Sequence, residues 1–273
     1  AYEIMPSLVG SEMCIRDSLE KALNQSQEDI AFKVFPAMCF WHPFLEEVWS
    51  QVIHDRFDRI IALSLFPFYS TTTTGAIKHK IEKLSLKSGV PREKILLIDR
   101  FGNHPLFIEA IVQHLLEQLQ VLEFPELTHL LFSAHSIPLR RHKKGDPYFQ
   151  EISHAVGVIQ KKLLKRNIKV HLSFQSKIGP FKWLSPSTAT KIEELASQGV
   201  TKLFIYPLGF VADNLETIYE LGVSYYHLAQ QKGIDDYICL KALNTFTPFI
   251  QFLQKIVKEQ YTKKWPRKTY LLR

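Results

Sequence analysis

The sequence has few cysteines and no long apolar segment, and both absences exclude whole classes of protein. Its 273 residues include three cysteines, Cys14, Cys39 and Cys239, which lie far apart and form no CxxC pair. A disulfide scaffold and a cysteine-rich zinc or iron–sulfur site are therefore excluded, and a reducing cytoplasm is favoured. No apolar run approaches the ~18 residues that indicate a membrane-spanning helix.

The charge balance does not identify a single kind of partner. The chain has 34 Lys and Arg against 27 Asp and Glu, a surplus of +7 with histidine neutral. Such a surplus favours an acidic partner: a polycarboxylate ligand, an anionic membrane surface or nucleic acid. With 46% hydrophobic and 22% charged residues, the composition is that of a globular protein, so wholesale disorder is excluded.

Residues 1–18 lack the hydrophobic periods of a helix and of a strand. They also lack the basic region and the long apolar core of a signal peptide. Within them, MPSLVGSEMCIRDS resembles the translated sequencing-adapter string that sometimes contaminates assembled reading frames. We predict that residues 1–18 are a non-native leader; the alternative is a frayed N-terminal arm.

From residue 19 onward, β-branched or aromatic runs alternate with amphipathic helical stretches. Apolar strands that are each followed by a helix indicate parallel sheets covered on both faces. The sequence therefore predicts an α/β fold of two similar, doubly wound, Rossmann-like domains. The candidate strands are 31–35, 59–66, 95–99, 128–133, 169–174, 200–206 and 237–242.

The two halves differ at their beginnings. We predict a first α/β domain at 19–126, a second at 127–245, and a C-terminal helix with a basic tail at 246–273, with LEFPEL at 122–127 as the junction. The first domain lacks its first strand, which would be central in the common strand order 2-1-3-4.

Two strand ends of the second half carry candidate catalytic residues. His135 follows the first strand, and Asp213, Glu216 and Glu220 follow the third at the spacing of one helix face. Because these strands are neighbours in the order 2-1-3-4, we expect His135 and the acidic segment to face one cleft. A His–Glu pair there can accept protons and hold a hydrated divalent metal, whereas Asp213 also suits a helix N-cap.

Two further segments leave alternatives open. The basic run Arg140-Arg141-His142-Lys143-Lys144 is either a solvated loop or a rim that attracts carboxylates. The run Ser70-Thr71-Thr72-Thr73-Thr74-Gly75 has one glycine and no following lysine, which argues against a P-loop. Its hydroxyls and helix-start N–H groups could still bind a carboxylate.

Several long motifs, in order, resemble those of ferrochelatase, the enzyme that inserts ferrous iron into a porphyrin to make haem. The resemblance covers about residues 30–256 and implies a chelatase-type fold and a lyase of haem biosynthesis. The motifs that carry it are LFSAHSIPL, GDPYFQEI, LSFQSKIGPFKWLSPST and YPLGFVADNLETIYEL.

The resemblance also implies roles for single residues. His135 is similar to the family's active-site histidine and Glu216 to its partner carboxylate; both are thereby expected to be catalytic. The implied metal-binding set is His135, Glu216, Glu220 and Asp213. The residues expected to bind porphyrin are Trp183, Tyr148, Phe210, Ser70, Thr71 and Ser136.

The implied substrates are Fe²⁺ and a porphyrin, either protoporphyrin IX or coproporphyrin III. We expect no permanently bound cofactor, no iron–sulfur cluster and no nucleic-acid partner. The expected location is the cytoplasm, with peripheral membrane contact through the basic C-terminal tail as an option. The oligomeric state is left open.

The sequence departs from the family pattern in three places. Asn214 stands where histidine is common, Cys39 and Phe40 stand where Arg-Tyr is usual, and the N-terminal block with its LGTP-type strand end is absent. Two alternatives are kept beside the resemblance: a cobalt or nickel chelatase of the same fold acting on another tetrapyrrole, against which the glutamate and QSK motifs argue, and a non-catalytic porphyrin- or haem-binding protein.

Overall fold

A computed structural model of the chain describes residues 4–25, 30–39, 41–120, 128–177 and 179–266. The α-helices are α1 Ile4–Asn24, α2 Leu45–His54, α3 Thr74–Ser88, α4 Pro105–Gln120, α5 Leu139–Lys143, α6 Tyr148–Leu163, α7 Thr188–Ser197, α8 Tyr225–Gln231 and α9 Thr247–Lys264. The strands are β1 Ile60–Leu63, β2 Ile95–Ile98, β3 Thr128–His135, β4 Ile168–Gln175, β5 Lys202–Pro207 and β6 Asp236–Cys239. A π-helix, Glu216–Ser224, precedes α8, and two 3₁₀ turns span Arg92–Lys94 and Leu164–Arg166.

The second half forms a four-stranded sheet in the order β4-β3-β5-β6, with every pair parallel. In chain order this is 2-1-3-4, as the sequence predicts. The central strand β3 is buried along almost its whole length because helices cover both faces of the sheet. The register sets His135 at the end of β3 opposite Gln175 at the end of β4.

The first half contains a two-stranded parallel sheet, in which Ile60 of β1 pairs with Ile95 of β2. Together the two parallel sheets confirm the predicted α/β fold class. The predicted strand at 31–35 is wrong, since residues 30–37 form no sheet ladder. In the order 2-1-3-4 that strand pairs only with the first strand, and the described residues before β1 contain no strand to pair with it.

Helix α1 bonds to this unpaired segment through side chains. The Asn24 side-chain oxygen accepts the Phe32 N–H at 2.8 Å, and its Nδ2 donates to the Phe32 carbonyl at 2.8 Å. The Val34 N–H donates to the Glu20 carboxylate at 2.6 Å. These three bonds satisfy backbone groups that a neighbouring strand would otherwise pair.

The predicted boundary after residue 18 falls within α1. Ile15, Leu19 and Leu23 are spaced four apart and buried, which is a narrow apolar stripe on one helix face. Residues 4–24 therefore form a helix and not a central strand, and its second half packs into the core through these three side chains. The apolar stripe is not visible in residues 1–18 alone, because only Ile15 of the three buried residues lies there. The foreign origin of residues 1–18 stays a prediction.

One apolar core joins the two halves. The same cluster of buried side chains contains Leu19 of α1, Phe107 of α4, Leu130 of β3 and Phe249 of α9. Helix α9 crosses back onto the first half, where the Lys264 ammonium donates to the Ile95 carbonyl. This shared core fixes the position of one half relative to the other.

Some positions named in the sequence analysis are not among the residues that the structure describes. The junction at 122–127, Phe40, and residues 267–273 of the basic tail lie outside the described residues. Among the helices that the structure describes, none is long and apolar enough to cross a membrane.

Candidate active site

A cleft of about 950 Å³ lies between the two halves, at the carboxyl ends of the parallel strands. The second half contributes the end of β3, the loop after β5 and the start of the π-helix. The first half contributes the segment after β1 and one face of α3. The residues that line the cleft include Phe66, Pro67, Phe68, Thr72, Thr73, Lys80, Lys83, Lys87, His135, Ser136, Tyr148, Trp183, Gly209, Phe210 and Glu216.

Two strand ends bring a histidine and a carboxylate together in this cleft. The His135 Nδ1 atom lies 2.8 Å from Glu216 Oε2, although 81 residues separate the two in sequence. Parallel pairing of β3 with β5 places the segments that follow both strands at the same sheet edge. The Tyr148 hydroxyl donates to the His135 carbonyl at 2.9 Å and so anchors the end of β3.

The pair shifts the pKa values of its two members in opposite directions. Burial lowers the pKa of His135, but the hydrogen bond to Glu216 and the charges of Glu216 and Glu220 outweigh it, so the pKa is raised above 6.5. Burial raises the pKa of Glu216, but its hydrogen bonds to His135 and Ser176 and the His135 charge outweigh it, so the pKa is lowered below 4.5. The site therefore stabilises an imidazolium beside a carboxylate.

Ser176 connects this pair to a second carboxylate. Its hydroxyl lies 2.9 Å from Glu216 Oε2 and 2.5 Å from Glu220 Oε2, and its N–H donates to Glu220 Oε1 at 2.9 Å. The Tyr225 hydroxyl donates to the same Glu220 oxygen at 2.9 Å. A continuous hydrogen-bonded chain thus runs from His135 at the cleft to Tyr225, the first residue of α8.

The backbone at Ser176 supports this arrangement. Its φ angle is 61°, in the left-handed region that side chains other than Gly, Asn and Asp rarely adopt. Such a conformation persists only where the surroundings hold it. Here the contacts of the Ser176 hydroxyl and N–H with the two glutamates supply that support.

A π-helix sets the spacing of the two glutamates. Glu216 and Glu220 are its first and fifth residues, and its wider turn brings both to Ser176. The helix start is capped by Asn214, whose side-chain oxygen accepts the N–H groups of Glu216 and Thr217 at 2.9 and 3.1 Å. Asn214, not Asp213, is therefore the capping residue.

Asp213 lies apart from the cleft. Its carboxylate accepts hydrogen bonds from the Ala242 N–H at 3.0 Å, from Asn244 Nδ2 at 2.7 Å and from the Thr217 hydroxyl at 3.2 Å. Because Asp213 precedes the π-helix, it does not share a helix face with Glu216. Within the described residues, no group of three or more His, Cys, Asp or Glu side chains is placed to hold a metal ion.

Comparison with known proteins identifies the family. The model of the ferrochelatase family matches residues 7–261. The chain belongs to the ferrochelatase family. It is 36% identical to the ferrochelatase of Geotalea daltonii over 253 residues, which are 92% of this chain and 78% of that protein. It is 34% identical to the ferrochelatase of Aquifex aeolicus over 261 residues, which are 95% of this chain and 82% of that protein.

Solved structures share the fold of this ferrochelatase-family chain. SirB from Bacillus subtilis with Fe³⁺ has a TM-score of 0.63 at 13% identity, covering 94% of this chain and 92% of that one. CbiX, the terminal enzyme for biosynthesis of siroheme in denitrifying bacteria, has a TM-score of 0.61 at 14% identity, covering 93% and 92%. The family shows that this chain is an enzyme that inserts a metal ion into a tetrapyrrole.

Four of the six residues expected to bind porphyrin line the cleft: Trp183, Tyr148, Phe210 and Ser136. Phe210 reaches it because Gly209, with φ 97°, turns the chain sharply after β5. Ser70 and Thr71 do not line it, since both hydroxyls donate to Asp146 Oδ2, at 3.0 and 2.7 Å. The next residues of the same run, Thr72 and Thr73, lie in the wall instead.

Sequence reasoning missed the contribution of helix α3 to the cleft. Helix α3 lines it with Lys80, Lys83 and Lys87, whereas the basic run 140–144 is not part of the lining. The signal is present in the sequence, because these lysines are spaced by three and four residues and share one helix face. Only the packing of the two halves shows that this face meets the cleft.

Proposed function

We propose that this chain is a ferrochelatase that inserts Fe²⁺ into a porphyrin and releases two pyrrole protons. The observation that carries the proposal is the His135–Glu216 pair, 2.8 Å apart, in a cleft whose other walls are largely aromatic and apolar. Relatives that are named ferrochelatases and cover most of the chain support the choice of iron and porphyrin.

His135 is the proton acceptor. A carboxylate can only accept a hydrogen bond, so Nδ1 of the neutral imidazole carries its proton toward Glu216. Nε2 then keeps a free lone pair, which can take a proton from a pyrrole nitrogen. As that proton transfers, Glu216 stabilises the imidazolium that forms, consistent with the raised pKa of His135.

The chain from Glu216 through Ser176 to Glu220 and Tyr225 gives protons a route away from the macrocycle. Each link is a hydrogen bond of 2.5 to 2.9 Å between exchangeable groups. His135 and Glu216 also offer the nitrogen and oxygen ligands through which an incoming Fe²⁺ substrate can exchange bound water. Glu220 extends that acidic path away from the cleft.

Aromatic side chains on both sides of the cleft can bind the porphyrin ring and leave its pyrrole nitrogens accessible to the metal. Phe66 and Phe68 lie on the side of the first half, and Trp183 and Phe210 on the side of the second. Apolar side chains on both sides exclude water and bind a flat macrocycle with large contact areas. Walls of this kind can favour a distorted ring in which a metal reaches the pyrrole nitrogens.

The test is anaerobic metal insertion with defined substrates. Purified protein is mixed with metal-free protoporphyrin IX, coproporphyrin III or sirohydrochlorin, each with Fe²⁺, Co²⁺ or Ni²⁺, and the absorbance change is followed. We expect Fe²⁺ insertion into a porphyrin at a rate well above the uncatalysed control.

Two results would contradict the proposal. Insertion of Co²⁺ or Ni²⁺ into sirohydrochlorin alone would favour a chelatase acting on another tetrapyrrole. Tight binding of porphyrin without insertion of any metal would favour a non-catalytic binding protein.

A further inference from the structure

Helix α3 presents one continuous face to the cleft. Its lining residues recur every three or four positions and combine apolar with basic side chains: Ala76, Ile77, His79, Lys80, Lys83, Leu84 and Lys87. Lys78 is on the same helix but does not line the cleft. The lysines are therefore concentrated on the side where a bound macrocycle would lie.

The positive charge on this face is incompletely balanced. Lys80 pairs with Glu46 at 2.9 Å. Lys83 and Lys87 are exposed and have no ion-pair partner among the residues that the structure describes. The other acidic side chain of the lining, Glu216, is bonded to His135 and Ser176. Two ammonium groups at the cleft thus remain available to an anionic ligand.

The opposite end of α3 offers a second polar contact. Thr73 is the N-cap residue, its side chain makes no capping hydrogen bond, and its buried hydroxyl has no partner among the described atoms. It lines the cleft where the helix dipole favours an anion. At 1.5 Å rise per residue, Thr73 lies about 15 to 20 Å along the helix from Lys83 and Lys87.

The second half adds unpartnered polar atoms across the cleft. The Ser136 hydroxyl, on a residue only 1% exposed, and the Trp183 indole N–H are both buried without a hydrogen-bond partner in the described structure. Buried polar atoms are normally hydrogen-bonded. Their position in the cleft lining indicates a ligand that carries hydrogen-bond acceptors.

We propose that α3 recognises the carboxylates of the tetrapyrrole, with Lys83 and Lys87 at one end and Thr73 at the other. A ring with carboxylates on two opposite edges can contact both ends, whereas a ring with carboxylates on one edge contacts one end. Affinity therefore increases from a dicarboxylate to a tetracarboxylate porphyrin. This inference rests on the proposed function in one respect: the cleft binds a porphyrin.

The test measures binding of metal-free porphyrin, so it does not depend on turnover. Protoporphyrin IX, with two carboxylates, and coproporphyrin III, with four, are titrated into the protein while tryptophan fluorescence is followed. The variant is Lys83→Met with Lys87→Met, which keeps most of the aliphatic stem. The control is Lys78→Met with Lys94→Met, which removes the same charge from exposed positions outside the cleft lining.

For the double lysine variant we expect about a fivefold to tenfold weaker affinity for coproporphyrin III, since exposed ion pairs are individually weak. The loss for protoporphyrin IX is expected to be about twofold, because that ring can use the Thr73 end instead. Raising the ionic strength from about 0.05 to about 0.5 M should weaken coproporphyrin binding to the wild type more than to the variant.

Thr73→Val provides the second arm. Because the Thr73 side chain makes no capping bond, this near-isosteric change leaves the helix start intact. It should weaken the binding of coproporphyrin III and leave that of protoporphyrin IX nearly unchanged. Equal losses for the two porphyrins in the lysine variant, or losses equal to those of the control, would overturn the inference and leave these lysines as a solvated helix face.

The outcomes separate this inference from the proposed function. If the wild type binds porphyrins with the expected order but inserts no metal, the proposed function fails and the role of α3 stands. If the wild type inserts Fe²⁺ while the lysine variant binds both porphyrins as the control does, the role of α3 fails alone.

Discussion

The two halves of this chain share a parallel α/β design but differ in what they contribute to the cleft. The second half has four paired strands, and its strand ends hold His135, Ser176 and Glu216 within hydrogen-bond distance. Among the described residues, the first half has two strands, and it supplies aromatic side chains and the basic face of α3 to the cleft. The hydrogen-bonded histidine, serine and glutamate therefore follow the strands of a four-stranded sheet, whereas the first half lines the cleft from a helix and loops.

The halves also differ in how they satisfy backbone groups beside the sheet. In the second half, β4 pairs with β3 along its whole length. In the first half, the corresponding segment at 30–37 has no such ladder, and Asn24 and Glu20 of α1 bond its backbone instead. Side chains replace a strand there, so the first half depends on single contacts where the second depends on a cooperative ladder.

The largest expected effect tests the proton chemistry of the second half. His135→Ala should lower the rate of Fe²⁺ insertion by about 10²–10⁴-fold, because general base catalysis typically contributes this much. Initial rates with a saturating porphyrin measure the change. The matched control is His154→Ala, at an exposed position of α6, which should retain the wild-type rate. Equal activity of the two variants would exclude His135 as the base.

The next effect tests the packing of the first half. A Cβ at Gly102 would lie 2.3 Å from two ring carbons of Phe68, which is 1% exposed and also lines the cleft. Gly102→Ala should therefore lower the free energy of unfolding by about 1–3 kcal/mol, as overpacked cores do. Urea denaturation measures the change.

A matched glycine on α6 gives the control for this substitution. A Cβ at Gly157 would meet no atom within 4 Å, so Gly157→Ala in a helix should be neutral or stabilising by up to about 1 kcal/mol. Comparable unfolding midpoints for the two variants would show that the ring of Phe68 can move freely, contrary to the packing described.

A smaller expected effect is the difference between the pKa values of two histidines, one in each half. His135 must be neutral to accept a proton, and its pKa is raised above 6.5, so activity should rise with pH through a midpoint above 6.5. In α4 of the first half, burial lowers the pKa of His114 to about 4 despite nearby Asp213, so this ring stays neutral near pH 7.

The measurement is an NMR titration of the histidine ring protons, which does not require turnover. Glu216→Gln removes the carboxylate charge that favours the imidazolium, so the His135 midpoint should move to lower pH. The His114 midpoint should not move in this variant. An unchanged His135 midpoint would contradict the pairing of His135 with Glu216.

The smallest effect tests the side-chain bonds of α1. Asn24→Ala removes two hydrogen bonds to the Phe32 backbone at an exposed site. The expected loss is about 0.5–1.5 kcal/mol in the free energy of unfolding, since each net hydrogen bond is worth little. Gln25→Ala, at the neighbouring exposed position, is the control. Equal stabilities would indicate that water replaces the Asn24 contacts without loss.

Much of the fold follows from the sequence because buried parallel strands are short apolar runs bounded by helices. Six of the seven predicted strands are confirmed, and the order of the second sheet is the predicted one. The failure at 31–35 has a physical reason: an apolar run becomes a strand only where a neighbour offers backbone partners. The apolar pattern of residues 31–35 does not show whether a partner strand is present beside them.

From the sequence one could predict which strand ends form the candidate site, but not which way each side chain points. The 2-1-3-4 order places His135 and Glu216 at one sheet edge, and the structure joins them. Asp213, Ser70 and Thr71 are bonded elsewhere because the loops after the strands turn them toward Asn244 or Asp146. The lysines of α3 required knowledge of how the halves pack, which no local pattern contains.

The hydroxyl of Ser176 has a consequence for how the two glutamates act. It has a single hydrogen, yet oxygens of both Glu216 and Glu220 lie within hydrogen-bond distance, at 2.9 and 2.5 Å. The hydrogen can point to only one of them at a time, and it points to whichever oxygen is more negative. When a proton arrives on one glutamate, the serine hydroxyl therefore turns toward the other. The hydrogen bond from Ser176 thus moves to whichever carboxylate is still ionised.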